Sequence, residues 1–254
     1  MKNLTFLALA LFMTSNIFAQ KGLEITVGFT PGLSFMLNDE DLAEGQALNI
    51  QPTFGFQTGL TVGYNFSERI GLATGIGYAA LGQNYTTDYD GWAKDDQIKY
   101  DRKTSYIRVP VLLRVGGDPT ASTSAFLRFG PHFDFLSSAI GRNYGSKNNP
   151  TDVSRNYRDV SKLLSSDKAE IYKSFVLGLT LEVGGKIRIN DQMGVLVLFH
   201  LETSLTNPEG EDAAYTIYSG FPSSGTLTSP ERAGTWSLMA GLNIGFQYAL
   251  NFGN

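Results

Sequence analysis

The 254-residue chain has no cysteine, few charged residues and no long apolar run. Without cysteine there is no disulfide, no thiolate metal site, no thiol nucleophile and no lipid attached through a cysteine. Charged residues make up 17% of the chain, the net charge is -4 and the basic residues form no cluster, so no surface for nucleic acid is indicated. Beyond its first residues the chain lacks the roughly twenty apolar residues in a row that a membrane-spanning helix needs.

Residues 1–19 have the pattern of a secretory signal peptide. Lys2 supplies a basic start, an apolar stretch follows from 4 to 13, and Ala19 before Gln20 marks the cleavage site. The apolar stretch is about ten residues long, which is too short for an N-terminal membrane anchor. We therefore expect 1–19 to be removed on export and 20–254 to form the mature domain.

The mature chain alternates with a period of two between bulky apolar residues and small or polar ones, which is typical of β-strands. The first segment sets Leu23 and Ile25 against Glu24 and Thr26. The eight predicted strands are 23–36, 52–66, 70–85, 106–115, 125–137, 174–189, 192–205 and 235–252. Pro110 falls inside the fourth, and because proline cannot donate a ladder hydrogen bond, it predicts a bulge or bend there.

The connections between these strands alternate between long and short. The long ones are 37–51, 86–105, 138–173 and 206–234, and the short ones are 67–69, 116–124 and 190–191. In an up-and-down meander all the long loops then lie at one end, as in bacterial outer-membrane barrels. We therefore predict an all-β fold, an eight-stranded antiparallel up-and-down transmembrane β-barrel. Helical spacing of apolar residues also predicts a short helix within 151–172.

The two faces of the predicted strands differ in size and charge, and this difference decides which face meets lipid. A soluble barrel would place its bulky residues inside, but eight strands enclose room only for side chains or one small ligand. An Arg or Lys facing lipid costs about 2–4 kcal/mol at the midplane, and no ionisable residue lies on the bulky face. We expect a lumen network of Glu24, Arg108, Arg114, Arg128, His132, Asp134, Glu182, Lys186, Arg188, His200 and Glu202.

Aromatic residues near the ends of the predicted strands are placed as membrane-interface girdles require. The expected girdle consists of Phe35, Tyr64, Phe66, Tyr78, Trp236, Tyr248 and Phe252. Outer-membrane lipid is therefore the first expected partner, and the outer membrane the expected location.

Two strand motifs can be compared with known families. Tyr106-Ile-Arg-Val-Pro-Val-Leu-Leu-Arg114 has an aromatic-apolar-Pro-Leu-Leu-basic pattern, and Gly130-Pro-His-Phe-Asp-Phe-Leu136 has a Gly-Pro-aromatic pattern. With both motifs the chain resembles the PorT-type family of outer-membrane β-barrel domains from Gram-negative bacteria. The resemblance covers nearly the whole mature chain. It implies the same fold and location, and it makes a role in protein secretion one candidate function.

Two pairs of titratable residues would suit acid–base or metal chemistry. His132 with Asp134, and His200 with Glu202, each share a face through their i, i+2 spacing. No positioned nucleophile or third orienting group accompanies them in the sequence, so an internal hydrogen-bonded network is the preferred interpretation. We therefore expect no enzyme activity, no metal and no cofactor, with an outer-membrane enzyme acting on lipid or peptide as the alternative.

The second long loop mixes aromatic and acidic residues. Asp88-Tyr-Asp-Gly91 has part of a calcium-loop pattern without its terminal Glu, so a solvated loop is preferred. Such residues also suit a glycan or an envelope protein, because functional residues concentrate on loops carried by rigid scaffolds. The leading prediction is a non-enzymatic barrel whose external loops contact envelope components. A narrow channel or transporter for small solutes is the other alternative.

Overall fold

The computed structural model describes residues 22–43, 48–67, 69–87, 99–117, 121–144, 158–159, 171–210 and 234–251. Eight long strands lie in these ranges: β1 (Gly22–Asn38), β3 (Thr53–Asn65), β4 (Ile70–Thr87), β5 (Lys99–Gly116), β6 (Thr123–Tyr144), β8 (Phe175–Arg188), β9 (Met193–Ser204) and β10 (Thr235–Asn251). The shorter elements are α1 (Asp39–Ala43), β2 (Leu48–Gln51) and β7 (Arg158–Asp159). No helix in these ranges is long and apolar enough to cross a membrane.

The eight long strands form one closed antiparallel barrel. Each pairs with the next long strand along the chain, and β10 pairs with β1 from Gly22↔Asn251 to Asn38↔Thr235. Closure gives every long strand two partners, so none of them is left as a free edge. The predicted all-β, eight-stranded, up-and-down barrel is confirmed.

The alternation of the sequence is the in–out alternation of the barrel wall. On β1, Phe29 and Leu33 are about half exposed, whereas Thr30 and Ser34 are buried. The same alternation runs along the other strands, and most bulky apolar residues point outward as predicted. The outer surface is therefore a continuous apolar belt, while the interior holds small, polar and charged side chains together with some buried apolar ones, such as Leu196 and Leu198.

One side of the barrel is taller at the long-loop end. The strands β4 and β5 have 18 residues each and β6 has 22, whereas β9 has 12. The sequence predicted that β5 begins at 106 and that β6 ends at 137. It did not predict their extensions, because these have no outward row of apolar residues. Their outward positions include Lys103 and Ser138 instead, and both are exposed. These polar positions indicate that the extension stands clear of the apolar belt.

Two short strands widen this extension. The strand β2 pairs with β4, and β7 pairs with β6 through Ile140↔Asp159 and Gly141↔Arg158. The helix predicted within 151–172 is therefore wrong at 158–159, where the backbone joins a sheet ladder. Pairing with β6 overrides the helical spacing of the apolar residues. Residues 151–157 and 160–170 lie outside the described residues.

The bulge or bend predicted at Pro110 is not a bulge, but both ladders of β5 are interrupted beside this residue. Pairing between β5 and β6 keeps its register at Pro110↔His132, and the register shift comes earlier in β5, between Ser105 and Tyr106. Pro110 is tolerated because the ladder to β4 is interrupted beside it, between Gly77↔Arg108 and Thr74↔Val111. A missing N–H therefore costs no regular ladder bond at this point.

Gly130 is required by the approach of β5 to β6. Its φ is 156°, and a Cβ there would lie 2.2 Å from the carbonyl oxygen of Val111. No L side chain fits this combination of backbone angle and space. The glycine of the Gly-Pro motif is thus needed for the close packing of β5 against β6 in the barrel wall.

Candidate functional site

The centre of the barrel is held by Arg108 on β5. Its Nε and Nη2 atoms donate to the two carboxylate oxygens of Asp134 on β6, each at 2.6 Å. Its Nη1 atom donates to the carboxylate of Glu202 on β9. All three side chains are buried. A planar guanidinium suits such a two-pronged contact, so one arginine links three strands across the lumen.

A second arginine and His200 extend this cluster. The Arg128 guanidinium forms an ion pair with Glu182 at 2.6 Å, although its N–H is not aligned as a hydrogen bond. The ring nitrogens of His200 lie 3.0 Å from Glu182 on one side and 3.0 Å from Glu202 on the other. Asn243 donates to Glu182 at 2.9 Å. His200 therefore connects the two carboxylates into one continuous network.

His132 lies beside this network. Its Nδ1 is 2.8 Å from the hydroxyl oxygen of Thr180, and its Nε2 is 3.6 Å from Asp134. Gly178 on β8 makes room for the ring, because a Cβ there would lie 2.2 Å from Nε2. Thr180 is the hydroxyl partner that the sequence did not reveal, since it lies on a different strand from His132.

A smaller cluster lies at the short-turn end. Arg114 forms an ion pair with Glu24 across the lumen at 3.1 Å and donates to Asn65. Its guanidinium also lies 4.7 Å from the ring centroid of Phe126, within the range of a cation–π contact. Lys186 runs beside Gly194, where a Cβ would lie 2.7 Å from its Cε.

The predicted lumen network is thus divided by height. The structure brings Arg108, Arg128, His132, Asp134, Glu182, His200 and Glu202 together at the centre, and Glu24, Arg114 and Lys186 at the short-turn end. Arg188 lies at the edge of the second cluster, where its charge still acts on Lys186, because it occupies the last position of β8 and pairs with the exposed Asp191 of the following turn. Its side chain is 31% exposed, so it belongs to the rim rather than to the buried interior.

Apolar layers lie on both sides of the central cluster, and only some of their residues were predicted to face inward. Towards the short turns, Phe126, Leu196 and Leu198 pack together in a buried cluster. Towards the long loops, the buried cluster consists of Leu81, Tyr106, Val176 and Met239. Alternation along the strands predicts that Val176, Leu196 and Leu198 face inward, whereas Leu81, Tyr106, Phe126 and Met239 were not assigned to a face. The available signal for Met239 was the same alternation, because it lies on the same face as Ser237.

The long-loop end is closed by a further buried layer. Met36, Ala139, Ile171 and Tyr172 form an apolar cluster there. Tyr172 pairs as a single bridge with Glu209, so the ends of the third and fourth long connections are tied together. Thr235 accepts a hydrogen bond from Asn38 at 2.8 Å and donates to Glu209. The loop bases thus form a folded cap over the lumen.

A cavity of about 80 Å³ lies beside the central cluster. Its polar lining includes Gln57, Thr180 and Asn243 as well as the charged groups. Gly28, Gly59 and Gly77 also line it, and they are direct register partners on β1, β3 and β4. Since one water molecule needs about 10–15 Å³ of cavity volume, the cavity has room for several waters.

The aromatic girdle residues differ in their positions along the strands. Tyr64 and Phe66 meet edge to face at 5.4 Å near the short-turn end, and Trp236 is half exposed at the start of β10. Phe35 lies near the loop end of β1, and the Tyr248 hydroxyl contacts Gln192 in a short turn.

Tyr78 is the exception, because it lies in the middle of β4 and not at a strand end. Its ring packs 6.0 Å from that of Phe56, within an aromatic ladder that continues to Phe29. Cross-strand aromatic packing therefore explains Tyr78 better than a place at the membrane interface.

Several sequence predictions lie outside the described residues. They are the signal peptide 1–19 with its cleavage site Ala19–Gln20, Phe252 of the girdle, and the acidic segment 88–96. Among the residues that are described, no group of three or more His, Asp or Glu side chains is arranged to hold a metal ion.

A closed eight-stranded antiparallel barrel with an apolar outer belt and long connections at one end defines the class of outer-membrane barrel proteins. Residues 18–208 match the family model described as "Outer membrane protein beta-barrel domain", and the chain belongs to this family. The protein is therefore located in the outer membrane. The PorT-type resemblance is narrower than this match and stays a prediction.

The chain is also similar to solved outer-membrane barrels. One is Ail, the attachment invasion locus protein of Yersinia pestis, in complex with the heparin analogue sucrose octasulfate, at 12% identity over 90% of this chain and 99% of that chain, with a TM-score of 0.39. Another is a major outer membrane protein from Thermus thermophilus, at 15% identity over 90% and 99%, with a TM-score of 0.40. A third is OprG from Pseudomonas aeruginosa, at 17% identity over 91% and 96%, with a TM-score of 0.35. No curated protein matches the chain.

Proposed function

We propose that this protein is a non-enzymatic outer-membrane barrel with a plugged lumen, whose external loops contact other components of the envelope. The observation that carries the proposal is the Arg108 fork, which holds Asp134 and Glu202 from two other strands. Leaving one partner of a buried ion pair without the other costs about 3–5 kcal/mol, so an open form of this plug would be only a small fraction of the protein.

The apolar layers on either side of the central cluster support the same proposal. Ions cross a pore only where water is continuous, and hydrophobic constrictions close pores by excluding it. Leu196 and Leu198 are fully buried on one side of the cluster, and Met239 is fully buried on the other. A solute would therefore have to displace apolar packing twice as well as the ion pairs.

The external loops are the part of the molecule that remains for a partner. Long loops of outer-membrane barrels face the outside, and functional residues concentrate on loops carried by rigid scaffolds. Their bases are fixed here by the bridge between Tyr172 and Glu209. We assign them an envelope protein or a glycan as partner, while outer-membrane lipid covers the belt. A secretion-related role, implied by the PorT-type resemblance, belongs to this proposal.

Conductance of the purified protein in a planar bilayer tests the plug. We expect no steady conductance from the unchanged protein. A steady conductance in the unchanged protein that Glu202→Gln abolishes would establish a channel instead.

Cross-linking in intact outer membranes tests the partner. Photo-cross-linkers placed in the long connections at 92 and 220 are compared with one at 191, in a short turn. We expect discrete adducts from the loop positions and none of the same size from the turn. Equal adduct patterns at both ends would contradict a loop partner.

One observation favours a channel, which is the polar cavity beside the central cluster.

One observation also favours an enzyme, because Thr180, His132 and Asp134 lie in the order hydroxyl, imidazole and carboxylate. Both oxygens of Asp134 already accept from Arg108, and all three residues are buried, so this arrangement supports packing better than catalysis. Lipid A modification or peptide cleavage by the pure protein, lost in Thr180→Ala, would overturn the non-enzymatic proposal.

A further inference from the structure

The short-turn end of the lumen contains buried polar atoms without a partner. Gln247 on β10 faces inward and is 1% exposed, yet neither its amide nitrogen nor its amide oxygen forms a hydrogen bond. The Nε atom of Arg114 is likewise buried without an acceptor. Buried polar groups are almost always hydrogen-bonded, so these atoms indicate a missing polar partner.

The same region carries a surplus of positive charge. Arg114 and Lys186 face one carboxylate, that of Glu24, which forms an ion pair with Arg114. Lys186 forms no ion pair within the described part of the chain. The charges of Glu24, Arg114 and, from the rim, Arg188 all act on Lys186, so Lys186, Glu24 and Arg114 lie in one region of the lumen. A missing partner here is therefore expected to be an anion.

Strand register places Gln247 beside the lysine. Gln247 pairs with Gly194 on β9 and with Thr26 on β1. The Lys186 side chain runs over Gly194, where a Cβ would come within 2.7 Å of its Cε. The glycine thus lets the lysine reach across β9 towards the inward face of β10. Lys186 is also only partly buried, so the compartment can be reached from the short-turn end.

We propose that Arg114, Lys186 and Gln247 form a binding site for a hydrogen phosphate group, open to the periplasmic end of the lumen. The two cations and the Gln247 amide nitrogen donate to phosphate oxygens. The Gln247 amide oxygen accepts from the P–OH group, which a phosphate monoanion or monoester supplies and a carboxylate lacks. Short turns face the periplasm in outer-membrane barrels, so the group arrives from that side.

Titration of the refolded protein with inorganic phosphate, followed by calorimetry in a neutral detergent at constant ionic strength, tests the site. Lys186→Gln is expected to weaken phosphate binding about tenfold or more, since it removes a charge-assisted bond. Gln247→Glu is expected to abolish binding by placing a carboxylate in the site. Arg69→Gln is the control, because Arg69 is exposed in the first short turn and its charge does not act on Lys186, so full binding is expected.

Sulfate and a lipid phosphate complete the test. Sulfate has no hydroxyl near neutral pH and is expected to bind more weakly than phosphate. In a second experiment the protein is placed in nanodiscs that contain phosphatidic acid in place of inorganic phosphate. Binding of phosphatidic acid without binding of inorganic phosphate would show that the site takes the phosphate of a lipid headgroup. Equal phosphate binding by the unchanged protein and Lys186→Gln, tighter binding of sulfate, or no response to either phosphate source would overturn the site.

Discussion

The lumen is divided between two halves of the barrel wall. The charged half comprises β5, β6, β8 and β9, and it carries every charged residue of the two interior clusters except Glu24. The small-residue half comprises β10, β1, β3 and β4. There Gly245, Gly28, Gly59 and Gly77 are successive register partners across the four strands. Long charged side chains on one half therefore fill the space that glycines leave on the other.

This division explains how a narrow barrel accommodates arginines. Eight strands enclose room for little more than side chains, so an inward arginine needs an empty place opposite it. Arg108 lies beside Gly77 in register and lines the same cavity as Gly28 and Gly59. Glycine and charge are two parts of one packing arrangement.

The largest effect is expected where a glycine allows two strands to approach. A Cβ on Gly75 would lie 2.0 Å from the carbonyl oxygen of Leu60, and a backbone atom cannot move aside as a side chain does. Gly75→Val should therefore prevent the barrel from closing, so the heat-modifiable band on a gel is lost. The control is Thr74→Val, one residue away and facing outward, which should fold. A folded Gly75→Val barrel would contradict the close approach of β3 and β4.

The next effect concerns the charged half. Arg108→Ala leaves the carboxylates of Asp134 and Glu202 buried without their arginine, and should lower the free energy of unfolding by about 3–5 kcal/mol. Guanidinium unfolding of the protein refolded into vesicles measures this loss. The Arg188→Ala control breaks a part-exposed pair and should cost about 0–1 kcal/mol. Equal losses in the two variants would mean that burial does not distinguish the centre from the rim.

A smaller effect tests a glycine within the charged half. Gly178→Ala places a methyl group 2.2 Å from His132 Nε2 and 2.7 Å from the Thr203 carbonyl oxygen, and overpacking of this kind costs about 1–3 kcal/mol. The same change in a His132→Ala background should cost less, because the ring that must move is gone. Unfolding free energies of the four proteins in this cycle give the coupling. A coupling near zero would show that Gly178 serves the backbone and not His132.

The smallest effect is expected at Gly28, in the small-residue half. A Cβ there meets its nearest atoms, in the Asn243 amide, at 3.5 Å, which is ordinary contact. Gly28→Ala should change the free energy of unfolding by less than about 1 kcal/mol, in the direction of stability, because glycine in a strand is entropically costly. A loss as large as that of Gly178→Ala would show that the cavity beside Gly28 must remain fully open.

Much of the fold could be predicted because the barrel wall repeats one local rule. Alternation of residues such as Phe29 and Thr30 reports which face meets lipid, and it needs no knowledge of the neighbouring strands. The rule fails where lipid ends. The extensions of β5 before 106 and of β6 after 137 carry polar residues outward. Residues 158–159 pair with β6, although the apolar residues of the segment 151–172 are spaced as in a helix.

The candidate site could be predicted only as a list of residues. Charge on the inward face indicated that the groups would meet in a narrow space, but parity along a strand does not give height along the barrel axis. The structure places Arg108 with Asp134 and Glu202, Arg114 with Glu24, and Arg188 at the rim. Alternation predicts that Thr180 and Gln247 face inward, but they carry no charge and so were not included in the predicted network.

The sequence by itself determined the number of strands, the face that each turns to lipid and the end at which the long loops lie. These properties follow from side chains two residues apart and from the lengths between them, which are local quantities. Only the tertiary structure decided which charge meets which, because that depends on strand register and on the glycines opposite. Closing the barrel brings strands together that are far apart in the chain, and an ion pair is set by that distance in space.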